Sequence, residues 1–241
     1  MKMRIPMLLL MAILFCSVSM SSQTVVTPDS KHFQFKLEPF SATYSQMGST
    51  LAVETSLSLD SKMYQINMSM PNVRSPSRLI TDVIGLEAET GAVVYRDFHL
   101  LLPSWSYNRM EVNKGSIHLA SYGEHAVKLD SALVGGKVFD GTFGFWLLSG
   151  INDTVDSFML NRWKQSPKGL EVGLSPTFTV EGREMITINE VEYACAVIAV
   201  AAAPGVKIVS YVSEQAPYLI KQVYLQGDNP GMEVLRLQKM K

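Results

Sequence analysis

Beyond residue 32, apolar and polar residues alternate with a period of two along nearly the whole chain. This is the pattern of half-buried strands rather than of amphipathic helices. Leu51, Val53, Leu57 and Leu59 fall on one face, and Glu54, Ser56 and Ser58 on the other. Asp60-Ser61-Lys62 then reverses the chain, and Tyr64, Ile66, Met68 and Met70 alternate with Gln65, Asn67 and Ser69, which predicts a hairpin. Farther on, Leu170, Val172, Leu174, Phe178 and Val180 share a face, with Gly182 opening a turn into a strand that carries Ile186 and Ile188. The run 191–203 is apolar on both faces, which predicts a strand covered on both sides. Pro204-Gly205 turns it into the run from Val206 to Val212, and the segments 219–225 and 232–237 finish the sheet. Turn signals recur at Glu89-Thr90-Gly91, Asn113-Lys114-Gly115, Tyr122-Gly123, Gly135-Gly136 and 227–231. Their close spacing predicts an antiparallel meander, mainly β, without crossover helices.

One segment departs from this rhythm. Asp140 or Thr142 could cap a short helix in which Phe143, Trp146 and Leu147 stand at i, i+3 and i+4, with Gly150 as its stop. Phe145 and Leu148 make the other side apolar too, so a helix around 142–150 must be buried, in the protein or in something bound to it.

The N-terminus changes the picture of where the chain works. Lys2 and Arg4 precede an apolar run from Met7 to Phe15 and then Ser17, Ser19, Ser21 and Ser22, the layout of a secretory signal peptide. The run is too short to cross a bilayer, which takes roughly 20 apolar residues. Residues 1–22 are therefore expected to be removed, leaving one β-rich domain over 23–241 in the periplasm, with no transmembrane span. Phe15 stands where a lipoprotein peptidase needs a small side chain, so a lipid anchor through Cys16 is not expected. Once Cys16 leaves with the leader only Cys195 remains, and the fold must be held by its apolar core without a disulfide. Cys195 alternates with Tyr193 and Val197 and reads as a small buried hydrophobe. The formal net charge of −1 becomes −3 without Lys2 and Arg4, and no basic block gives nucleic acid a footprint.

Catalytic signatures are missing. His32, His99, His118 and His125 show no metal-ligand spacing, and no nucleophile elbow, phosphate loop or dinucleotide fingerprint is present. Val138 stands where Gly135-Gly136-Lys137 would need a hydroxyl, so this reads as a hairpin turn. Glu87/Glu89 and Glu190/Glu192 put two carboxylates on one strand face, a spacing ordinary on a solvated sheet. No cofactor and no metal is implied. The aromatic residues say more: Trp105, Tyr107, Trp146 and Trp163 stand in or beside the segments that break strand regularity, where they could line a concave face. Methionines spread through the strands suit a surface that accepts flexible acyl chains, and equally an irregular core.

From the helix onward the strings FDGTFGFWLLSG, FTVEGREMITINEVEYACAVIAV and IVSYVSEQAPYLIKQVYLQG resemble an uncharacterised family of exported bacterial proteins with a domain of unknown function. Gly182, Arg183, Glu184, Ile186 and Ile188 match its strand motif, and Tyr211, Val212, Ser213 and Pro217 match the entry to its last hairpin. The likeness covers about the last hundred residues well and 40–140 loosely. That family is similar to the lipoprotein-localisation carriers LolA and LolB. The resemblance implies a single, strongly curved antiparallel sheet, a half-barrel closed by a short helix, whose concave face would be an apolar pocket for acyl chains.

The expectation is thus a periplasmic, non-enzymatic protein that binds or carries a lipid, a lipoprotein acyl group or another apolar ligand. Phe143, Trp146 and Leu147 would form its plug, with Trp105, Tyr107 and Trp163 at the rim. Two other readings stand beside it: an envelope structural or assembly partner with a solid core, docking another protein, and a hydrolase of envelope glycan or lipid.

Overall fold

A computed structural model describes residues 23–72, 75–101, 105–113, 115–123, 127–141, 144–166, 169–227 and 231–240. The expected leader 1–22 with Cys16, and also His125, Thr142 and Phe143, lie outside the described residues. So does the side chain of Trp105.

Among the described residues sixteen strands follow one another, interrupted by one short helical turn that runs on into a 3-10 turn. They are β1 (Thr24–Val26), β2 (Ser41–Gln46), β3 (Ser49–Leu57), β4 (Met63–Asn72), β5 (Ser75–Glu87), β6 (Val93–Leu101), β7 (Trp105–Asn113), β8 (Ser116–Gly123) and β9 (Val127–Leu133). After α1 (Gly144–Leu147) and a 3-10 turn (Leu148–Gly150) come β10 (Ser157–Ser166), β11 (Gly169–Leu174), β12 (Phe178–Ile188), β13 (Val191–Ala203), β14 (Val206–Ser213), β15 (Leu219–Gln226) and β16 (Met232–Met240). All belong to one large sheet, ordered β1-β10-β12-β13-β14-β15-β16-β2-β3-β4-β5-β6-β7-β8-β9, with β11 pairing β10 off this path. The sheet is barrel-like but its ladder does not close.

Hairpins set the register. The β3–β4 pair places Val53 opposite Met68 and Leu57 opposite Tyr64, as the alternation requires. At its turn Asp60 Oδ1 accepts from Ser58 Oγ at 2.6 Å and from Lys62 N at 3.2 Å, so the carboxylate satisfies the groups that the reversal exposes.

Three details differ from the sequence expectation. The sheet is not wholly antiparallel: β1 runs parallel to β10, with Thr24 opposite Phe158. Gly182 does not open a turn. It lies at a bulge within β12, and the reversal falls at Asn189-Glu190, both with positive φ. A bulge shifts the register by one, which from sequence looks like a break. The run 191–203 is not covered along its length either. Its centre, Ile198 to Val200, is buried, but Val191, Glu192 and 201–203 project into solvent beyond the hairpin's neighbours.

The core lies inside the curve, where Tyr44, Ile66, Ile84, Leu86, Met110, Ile117, Leu219 and Ile220 are fully buried. A strip formed by 33–40, 138–141 and α1 fills part of that interior. Trp146, Leu147 and Leu148 are 7%, 4% and 2% exposed and Phe145 is half-buried, so this helical turn lies mostly inside, as its all-apolar sequence demands. Gly150 permits the tight fit: a Cβ there would strike the Gln34 carbonyl and the Phe33 ring, while Gln34 N donates to the Gly150 carbonyl at 2.8 Å. Phe33 meets Phe139 edge to face at 4.8 Å between ring centres.

Candidate functional site

Strand alternation determines which side chains look inward. On β4 these are Ile66, Met68 and Met70, on β5 Ile80, Asp82 and Ile84, on β6 Arg96 and Phe98, and on β7 Asn108 and Met110, each lying opposite another of the set in the register. The plug does not fill the space they enclose. A hollow of about 430 Å³ lies between Leu51, Met68, Met70, Ile80, Phe145, Trp146 and Leu235, with Gln46, Ser69, Asp82, Arg96, Phe98 and Gln222 completing its wall. Its volume is in the range of small-molecule sites, and its lining is mostly apolar with a few polar groups. Among the latter, Gln222 Nε2 donates to Ser210 Oγ at 3.1 Å, whereas Gln46 Oε1 is buried and finds no hydrogen-bond partner among the described residues.

A second hollow of about 250 Å³ adjoins the first. It is bounded by Asn108, Met110, Leu119, Gly141, Trp163 and Lys164, and it shares Arg96 and Phe98 with its neighbour. These two side chains form the partition. Arg96 is held there by charge: Nε and Nη2 donate to Asp82 at 2.8 and 2.5 Å, and Nη1 lies 3.5 Å from Asp140 Oδ1. Asp140 is 0% exposed and also accepts from Trp163 Nε1 at 3.0 Å. Both of these bonds tie it to the interior. The Arg96 guanidinium stacks between Phe98 and Trp163, 5.8 and 5.7 Å from the ring centres.

Burial shifts these groups. Desolvation lifts the Asp82 carboxyl above its ordinary range, opposed by Arg96 and reinforced by Asp140. Desolvation works against the Arg96 cation as well, but Asp140 and Asp82 together outweigh it and keep the guanidinium charged. Arg162, whose Nη1 donates to the Gly141 carbonyl at 2.8 Å, is lowered by burial, with Asp140 opposing. Two carboxylates thus share two nearby guanidinium groups, and the partition is close to neutral.

Of the aromatic residues singled out from sequence, Trp146 lines the first hollow and Trp163 the second. Leu147 is buried beneath the plug against Phe33 and Leu37 rather than on either hollow. Tyr107 faces the opposite side of β7 from Asn108 and Met110; its hydroxyl donates to Asp97 at 2.9 Å and its ring stacks on Tyr122. It is not at the rim. Sequence reasoning passed over Asp82 and Arg96, and considered Asp140 only as a helix cap. A signal for Asp82 existed, since it stands in phase with Ile80, Ile84 and Leu86 and so carries a charge on an inward face.

Elsewhere, Glu87 is occupied by Lys137 and Thr90, which hold its carboxyl below the usual range. Glu190 and Glu192 are exposed beside the β12–β13 turn. Cys195 is 1% exposed, and burial pushes its thiol up to about 11. No group of three potential metal ligands occurs among the described residues. A further hollow of about 380 Å³, on the other side of the plug, is lined by Lys31, Lys36, Asp153, Arg183 and Glu214. Within it Arg183 is paired, 2.6 Å from Asp153 and 3.9 Å from Glu214.

No family model matches the chain, and no curated protein does. Among solved structures it is similar to the β-barrel-like protein of the domain of unknown function DUF1849 from Brucella abortus. The two share a TM-score of 0.55 at 12% identity, over 86% of this chain and 98% of that one. The likeness extends to the fold: a barrel-like β protein of a kind whose function is unknown.

Proposed function

We propose that this is an exported, non-enzymatic protein that binds or carries an apolar ligand, namely a lipid, a lipoprotein acyl group or a molecule of similar character, at the cell envelope. The observation that carries the reading is the 430 Å³ hollow between Met68, Met70, Trp146 and Leu235, which the protein's own side chains leave open. Such a site works by area. Each methylene removed from water contributes about 0.8 kcal/mol, so one long acyl chain binds firmly without a charged contact. Methionines on the wall adjust cheaply to chain shape. The barrel-like fold is compatible with this role, and no helix among the described residues is long and apolar enough to cross a membrane. The export signal in residues 1–22 supports the envelope setting, and the LolA and LolB resemblance of the sequence points to the same class of cargo.

Native mass spectrometry of the protein purified from an envelope fraction tests the reading. A co-purifying lipid is expected, lost on Trp146→Asp and also on Met70→Trp, which fills the hollow without burying a charge. A protein partner and no lipid would favour the assembly reading with an inert interior.

A further inference from the structure

We propose that the 380 Å³ hollow on the other side of the plug is a second binding site, for a small amphiphilic anion: a carboxylate or phosphate carried on a short apolar body. The site is independent of the acyl-chain hollow and of the carrier reading. Its floor is set by strand register. Val180 lies opposite Ile198, and Arg183 opposite Ala196, which in turn lies opposite Val212 in the next ladder. Residues three apart on a regular strand point to opposite faces, but the bulge at Gly182 adds one residue and puts Arg183 on the face of Val180. The segment 148–155 forms the facing wall and contributes Ile151 and Val155. Ile198, Val212 and Val155 are buried, so an apolar body finds an apolar surface to cover.

The rim carries the charge. Lys31, Lys36 and Arg183 stand there with Asp153 and Glu214, three cations to two carboxylates in a chain whose formal net charge is −1. Arg183 engages both carboxylates, at 2.6 Å and 3.9 Å. Lys31 and Lys36 form no ion pair among the described residues, so the surplus positive charge of the rim is theirs. The backbone that bears them is already fixed. Phe33 bridges to Ile151, Asn152 N donates to the His32 carbonyl at 2.9 Å, and the Tyr218 hydroxyl donates to the Lys36 carbonyl. A bound anion orders two side chains and no loop, which keeps the entropic cost of binding low. A locally positive mouth on a negative molecule also draws anions to it. Charge separates this site from the 430 Å³ hollow, where the cation on the wall, Arg96, is engaged by Asp82 and Asp140.

The test is calorimetric titration of the Met70→Trp protein, in which the acyl-chain hollow is filled, with octanoate, octanol and inorganic phosphate at low salt; Leu235→Trp is the substitute should that variant not fold. Octanoate is expected to bind one to one. Octanol, which has the body without the charge, and phosphate, which has the charge without the body, each bind at least about fivefold more weakly, as the loss of two partly exposed ion pairs or of the apolar contact predicts. Lys31→Gln with Lys36→Gln, two exposed positions whose exchange leaves the floor intact, weakens octanoate by about the same factor. Raising the salt to about 0.5 M removes most of the preference for octanoate over octanol. Ala196→Phe, which fills the floor, abolishes octanoate binding. Equal affinity for octanoate and octanol, unchanged octanoate binding in the double lysine variant, or no octanoate binding at millimolar concentration would overturn the site. None of these results bears on lipid in the first hollow, which native mass spectrometry decides.

Discussion

Arg96 on β6 and Trp163 on β10 meet across the interior, the guanidinium carbon 5.7 Å from the indole centre, and Asp140 accepts from both of them. β6 and β10 are far apart in the strand order, so this contact is a brace across the space the sheet encloses. It keeps the walls apart and together at once, which is how a hollow survives beside a hydrophobic core.

Removing the cation should therefore be costly. Arg96→Met leaves Asp82 and Asp140 buried and facing one another, and the expected loss is about 3–5 kcal/mol, the usual penalty for stranding a buried charge. Urea denaturation measures it. Arg96→Met with Asp82→Leu should recover part of the loss, and a cost below about 1 kcal/mol for the single variant would place the pair among surface bridges of little consequence.

The thiol of Cys195 gives a pH test. Its ordinary value of 9.0 is raised to about 11 in the folded protein by burial, with Glu184 adding to it. The folded state holds this proton after the unfolded state has released it. Its contribution is therefore whole below pH 9 and is lost as pH rises from 9 through about 11. Stability should fall across that window, and Cys195→Ala should flatten the fall. At pH 8, iodoacetamide should label the thiol only after unfolding.

Much of this architecture was legible in the chain. Alternation at Leu51, Val53, Ile66 and Met68 determined the inward face, and the apolar turn around Trp146 announced its own burial. What was not legible depends on closure in space. Tyr107 and Trp105 stand near a break in the pattern, but period two puts Tyr107 opposite inward-facing Asn108, and only the register shows which face is inside. The interior pairing of Asp140 is invisible in sequence because its partners, Arg96 and Trp163, are brought to it by strands 44 and 23 residues away. The Gly182 bulge imitates a turn because a one-residue shift and a reversal interrupt alternation alike.

Gly141 tests how closely the inner strip is fitted to β10. A Cβ at this position would fall on the Trp163 carbonyl oxygen, a backbone atom that cannot swing aside. Gly141→Ala should push 138–141 away from β10, weakening the Phe139 N to Asn161 carbonyl bond of 2.9 Å, at a cost of about 1–3 kcal/mol. Gly136, where a Cβ meets nothing within 4 Å, should accept alanine within about 0.5 kcal/mol. Thermal melts of the two variants side by side check the difference.

The most direct measurement is a crystal structure of the protein grown with a fatty acid brominated along its chain, read by anomalous scattering. The account predicts bromine between Met68, Trp146 and Leu235, inside the 430 Å³ hollow, with the acyl chain lying past Phe98. A hollow filled by ordered water or by repacked side chains, with no bromine in the interior at saturating ligand, would contradict it.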